Sequence, residues 1–195
     1  MEISFGSFVS IALGVGLAAA TGFRVFVPLL IAGLAARADW IPLSDGFLWL
    51  EATPVLITLG AAALCETLAY FIPGLDHVLD LLAGPAAVVA GVVASASVMA
   101  DIPPGVMWPV AIIAGGGVAG LTKGGAALVR AKTGIVTGGL GNPVVSTVET
   151  VGATGISILA IAVPIVCLIA VICLIAWAMR KAGRFVLNRR ADQKN

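Results

Sequence analysis

The chain has 195 residues, 60% of them hydrophobic and 11% charged, with a net charge of +1. A soluble domain carries about 25% charged residues, so this chain lacks the polar groups to cover a water-facing surface, and its near-neutral balance supplies no field for nucleic acid. Apolar runs close to bilayer length point to membrane-spanning helices, because backbone groups in lipid have to be paired within the chain, and the runs lack the alternation of a β-barrel.

The first apolar run covers residues 3–20 and ends at Thr21-Gly22-Phe23-Arg24. A shorter apolar piece, residues 25–36, follows with Pro28 inside it. As helix it rises only about 18 Å, less than a bilayer core. It is either a re-entrant half-helix or the far part of one kinked helix. Residues 37–51 form a polar connection, with Trp40 and Trp49 suited to headgroup level. A second span covers residues 52–72, and Pro54 falls in its first turn, where a missing N–H costs nothing.

Residues 73–80, "PGLDHVLD", read as a turn into a third span at residues 81–100, rich in Ala, Gly and Ser and suited to close helix packing. A stiff turn at 101–109 leads to a fourth span, residues 110–121. Residues 123–149 are the least lipid-like part and end in "TGGLGNPVVSTVE". The fifth span, residues 150–179, exceeds what a bilayer needs, so it tilts, kinks at Pro164 or projects into water. Beyond it lie Arg180, Lys181, Arg184, Arg189, Arg190 and Lys194, a basic run of the kind that marks the cytoplasmic side.

These elements predict an all-α, polytopic transmembrane helical bundle of about five spans plus two interrupted or re-entrant elements. Residues 1–180 form one transmembrane domain and 181–195 a basic cytoplasmic tail, in the inner (plasma) membrane. Both glycine-bearing breaks precede a span with Glu at its mouth (Glu51, Glu149), an echo compatible with an inverted repeat. Five crossings with a cytoplasmic tail would leave Lys123, Arg130 and Lys132 outside, against the positive-inside trend. A crossing within 123–149, or burial of its charges, would relieve that conflict.

Few residues carry chemistry. A charge at the centre of a lipid-facing helix costs about 2.5–3.5 kcal/mol, so Arg24 needs water, an acid or an anion, unless it snorkels to an interface from a helix end. Gly22 permits unusual backbone there, and Pro28 forbids one continuous hydrogen-bond ladder. Gly138, Gly139, Gly141, Asn142 and Pro143 form a second break. The short helix after it, with Ser146, would offer free N–H groups to an anion; the plainer alternative is an extramembrane turn. Glu66 lies within the second span, with Tyr70 one turn further on. It is a neutral carboxyl, a partner for Arg24, a proton or cation site, or an interfacial carboxylate. Asp76, His77 and Asp80 have helical spacings that suit a divalent cation, or they cap the third span. Glu149 suits the first turn of the fifth span. Cys65, Cys167 and Cys173 lie in apolar runs as small hydrophobes. Enzyme templates such as GxSxG and HExxH are missing, and no cofactor is expected.

Together "ATGFRVFVPLL", "GLDHVLDLLAGP" and "GGLGNPVVSTVE" resemble a family of small bacterial integral membrane proteins catalogued as a domain of unknown function, with a GFRxxxP element and a GGLGNPVVS loop. The resemblance runs over roughly residues 5–180. It implies a membrane location and a helical bundle, and it lends no substrate. The expected function is transport or permeation of a small solute or ion, with Arg24, Glu66, Tyr70, Asn142, Ser146 and Glu149 along the pathway. The alternative is a membrane scaffold or lipid-handling protein. Expected partners are the bilayer, the small solute or ion, and a second copy met through small-residue helix faces.

Overall fold

A computed structural model describes residues 5–69, 75–138 and 141–192, for 75–81, 178–179 and 182–192 the backbone alone. The described residues form helices and short connections: α1 (Phe5–Thr21), α2 (Phe26–Arg37), a 3-10 segment (Asp45–Glu51), α3 (Thr53–Ala69), α4 (Leu75–Ser97), α5 (Pro104–Val110), a π-helical segment (Ala111–Gly116), α6 (Gly117–Thr137), α7 (Asn142–Ala162) and α8 (Pro164–Asp192).

Helix α1 is the centre of the bundle, touching α2, α4, α6, α7, α8 and the π segment. Every residue from Ala12 to Thr21 is buried. Its Gly and Ala positions allow this, since small residues let helix backbones approach where the hydrophobic effect cannot drive association. The π segment packs on α4 in the same way. A Cβ on Gly115 would stand 2.8 Å from the Gly91 carbonyl oxygen.

The connection after α2 does more than bridge two spans. Ile41, Leu43, Phe47 and Leu50 are buried, so this segment folds back over one end of the bundle. Ser44 fixes it to the last turn of α4, donating N–H to Ser97 O (2.8 Å) and Oγ–H to Ala96 O (2.9 Å). Those carbonyls have no partner within their own helix.

Several spans differ from their expected limits. The helix expected to start at 81 begins at Leu75, so residues 75–80 are helix rather than turn. The fourth span does not stop at 121; Pro104–Thr137 is one helical column of 34 residues. Lys123 and Arg130 fail to end it because they share an inward stripe with Ala119 and Ala126. The fifth span begins earlier, at Asn142, and at Val163 the chain breaks completely (φ −143°, ψ 73°) before Pro164 opens α8. Residues 181–192 continue α8 as helix.

Pro104–Thr137 and Asn142–Ala162 are long and apolar enough to cross a membrane. A third crossing follows if the 3-10 segment and α3, bent by 68°, count as one span. Helices α1 and α2 and the apolar stretches Leu82–Ser97 and Pro164–Trp177 are shorter.

Candidate functional site

The interruption between α1 and α2 is held on three sides. The amides of Phe23 and Arg24 both return to Ala20 O, at 3.0 and 3.2 Å, which ends α1. Gly22 lies against α6, where a Cβ would stand 2.7 Å from Ala119 O and 2.9 Å from Lys123 N. Only glycine fits that approach. On the α3 side, Glu66 accepts from the next two amides, Oε1 from Val25 N–H (2.9 Å) and Oε2 from Phe26 N–H (3.2 Å). These are orphan donors at the start of α2, and a carboxylate suits the positive end of a helix.

On the third side is α7. The Arg24 side chain has 0% exposure. Its Nε donates to Thr150 Oγ1 (3.0 Å), and its Nη2 donates to both the carbonyl (2.8 Å) and the hydroxyl of Ser146. The same nitrogen lies 3.9 Å from Glu149 Oε2. That oxygen also accepts a hydrogen bond from Arg130 Nη2 of α6. Glu149 is 4% exposed and Arg130 5%. Two guanidiniums from separate elements therefore converge on one carboxylate oxygen out of reach of solvent. In this low-dielectric setting their attraction is strong, and separating them would be costly.

Helix α7 supplies this chemistry because its inner face is polar. Ser146, Glu149, Ala153, Ser157 and Ala160 are buried, and Val144, Val148, Val151 and Ile158 are exposed. Lys123 is buried too, two turns before Arg130 on α6.

Of the residues singled out from sequence, the structure brings Arg24, Ser146 and Glu149 together. Glu66 borders the same break, yet it turns to backbone amides instead of the Arg24 guanidinium. Asn142 is the first residue of α7, one turn before Ser146. Tyr70 and Gly139 lie outside the described residues. Gly138 is a true break, left-handed at φ 60° beyond the end of α6, and Gly141 precedes α7. Pro28 and Pro143 are not breaks. Each lies in the first turn of a helix, where the amide it lacks would have had no intrahelical acceptor. Asp76, His77 and Asp80 fall in the first two turns of α4, with side chains outside those described; among the described residues no cluster of His, Cys, Asp and Glu could hold a metal.

Arg130 and Thr150 were not anticipated as site residues. The sequence does hold a signal for them. Ala119, Lys123, Ala126 and Arg130 recur at spacings of three and four, the stripe of a helix face whose small members pack inward. Thr150 lies four residues after Ser146 and shares its face.

Charged groups inside and large apolar side chains outside invert the arrangement of a water-soluble domain. With helices long and apolar enough to cross a membrane, this defines the class as an all-helical protein suited to lipid. The chain belongs to the family described as a domain of unknown function, DUF4126, which matches residues 11–184. No curated protein and no solved structure matches it.

Proposed function

We propose that this protein is a polytopic membrane protein that moves a small solute or ion along the polar seam between the α1–α2 break and α7. The observation that carries the reading is the shared carboxylate oxygen of Glu149, held by Arg24 and Arg130 inside the bundle. Charged residues within membrane segments face the bundle interior and mark ion pathways and proton relays. Here the charges adjoin a backbone interruption, and irregular backbone at membrane depth is tolerated where it is buried in protein or lines a cavity. In this reading α2 is a half-helix too short to cross alone, and the sealed cluster is the occluded state. A moving ion exchanges with one of the Glu149 partners. The basic run from Arg180 onward, in the last part of α8, sets that end on the cytoplasmic side of the plasma membrane.

Liposomes containing the full-length protein test this. Flux of protons, small cations or small anions lost in Glu149→Gln and Arg24→Gln, with helical content retained, supports transport. Absence of flux for every ion tested would overturn it.

A second reading, a membrane scaffold or lipid-handling protein without transport, is favoured by the complete enclosure of Arg24 and its several partners. In that case the cluster is a clasp joining α2, α6 and α7, and its variants lose stability alone.

A further inference from the structure

Where α2 gives way to α3, the chain forms an open depression of about 480 Å³ lined by Arg37, Asp39, Leu48, Glu51 and Thr53. Its volume is within the range of small-ligand sites, ~300–1,000 Å³. It shares no residue with the Arg24–Glu149 cluster, and the inference drawn from it does not depend on transport.

The turn after α2 builds one rim. Asp39 takes a left-handed backbone, φ 58°, which residues other than glycine seldom adopt. Its amide bonds to Ala36 O and that of Trp40 to Ala35 O, both at 2.9 Å. Arg37, in the last turn of α2, donates from Nη1 to Thr53 Oγ1 at 2.7 Å. A guanidinium has five N–H groups, so among the described residues most of its donors are left over. Among the described residues, the carboxylates of Asp39 and Glu51 make no ion pair and accept no hydrogen bond. One cation and two carboxylates thus line a single hollow without neutralising one another. A ligand that completes them carries an anion at one end and a hydrogen-bonding cation at the other.

The surroundings indicate where that ligand comes from. Trp40, the chain neighbour of Asp39, is 76% exposed, and Trp49, the chain neighbour of Leu48, is 50% exposed, and exposed tryptophans concentrate at the headgroup level of a bilayer. Helices α2 and α3 lead away from it as apolar segments.

We propose that this depression binds the phosphoethanolamine headgroup of a membrane lipid, with the phosphate on Arg37 and the ammonium between Asp39 and Glu51. A primary ammonium brings three N–H donors to the two acceptors. A choline headgroup has the same charges and no N–H, and a glycerol headgroup has no cation. The headgroup is therefore selected by its amine and not by its phosphate alone.

The test uses purified, delipidated full-length protein titrated with phosphatidylethanolamine, phosphatidylcholine, phosphatidylglycerol and free phosphoethanolamine, with bound ligand counted by native mass spectrometry. The ethanolamine lipid is expected to bind about tenfold more tightly than the other two lipids. The paired variant D39N/E51Q brings it down to the choline lipid's level, and Arg37→Gln weakens all three lipids together. Equal binding of ethanolamine and choline lipids, or a preference that survives D39N/E51Q, overturns the site. Tighter binding of free phosphoethanolamine than of the lipid overturns the lipid assignment. Circular dichroism controls for folding, and Glu51→Gln alone replaces the paired variant if that one does not fold.

Discussion

Glu149 Oε2 lies 3.9 Å from Nη2 of Arg24 and accepts a hydrogen bond from Arg130, so one oxygen of α7 ties the first helix break to α6. Arg24, in the break between α1 and α2, and Arg130, on α6, are far apart in sequence. Removing the carboxylate leaves two guanidiniums facing each other where water does not reach.

Glu149→Gln is therefore expected to destabilise the folded bundle by about 3 kcal/mol, the scale for breaking a buried ion pair from one side. Unfolding in a denaturing-detergent titration, followed by circular dichroism, measures it. Arg130→Met with Glu149→Gln should cost less than the sum of the two single changes, because the groups interact directly. Strict additivity would show that they are not coupled.

Glu66 holds the first amides of α2. Glu66→Ala should cost ~1–2 kcal/mol, as for loss of a helix cap, and Glu66→Gln less, since one amide oxygen still accepts. Hydrogen exchange at Val25 and Phe26 reports this locally, and unchanged protection in Glu66→Ala would refute the capping role. In flux assays Glu66→Gln should act more weakly than Glu149→Gln.

Gly22 and Gly60 make a matched pair. A Cβ on Gly22 would meet the α6 backbone at 2.7 and 2.9 Å, whereas a Cβ on Gly60 meets nothing within 4 Å among the described residues. Gly22→Ala should destabilise by roughly 1–3 kcal/mol because backbone atoms must move. Gly60→Ala should stabilise by up to ~1 kcal/mol through helix propensity. Thermal unfolding in detergent gives both signs, and similar midpoints for the two variants would contradict the close approach at Gly22.

Ser95 is buried between α1 and the π segment, and among the described residues its hydroxyl has no hydrogen-bond partner. Ser157 is equally buried and donates to Ala153 O at 2.7 Å. Replacing a satisfied hydroxyl loses about 1 kcal/mol, and replacing an unsatisfied one loses nothing. Ser95→Ala should thus match or exceed the wild-type midpoint while Ser157→Ala falls below it. A clear loss at Ser95 would reveal a partner for that hydroxyl.

Composition and local spacing by themselves determined the class: apolar helices, interruptions at Gly22 and Gly138, and an arginine at the first of them in need of company. Those features depend on neighbours a few residues away, and short-range sterics and hydrogen bonding decide them. Tertiary structure decided which acid answers Arg24. Glu66 was nearer in sequence and was spent on backbone amides, while Glu149 came from α7 with Arg130 beside it. It also decided that most of residues 123–149, read as the part least suited to lipid, folds into helices, α6 to Thr137 and α7 from Asn142, with Lys123, Arg130 and Glu149 turned inward and Lys132 left exposed. A polar residue on a helix marks a face, but whether that face meets solvent, lipid or another charge depends on which helix packs against it. No local pattern holds that information.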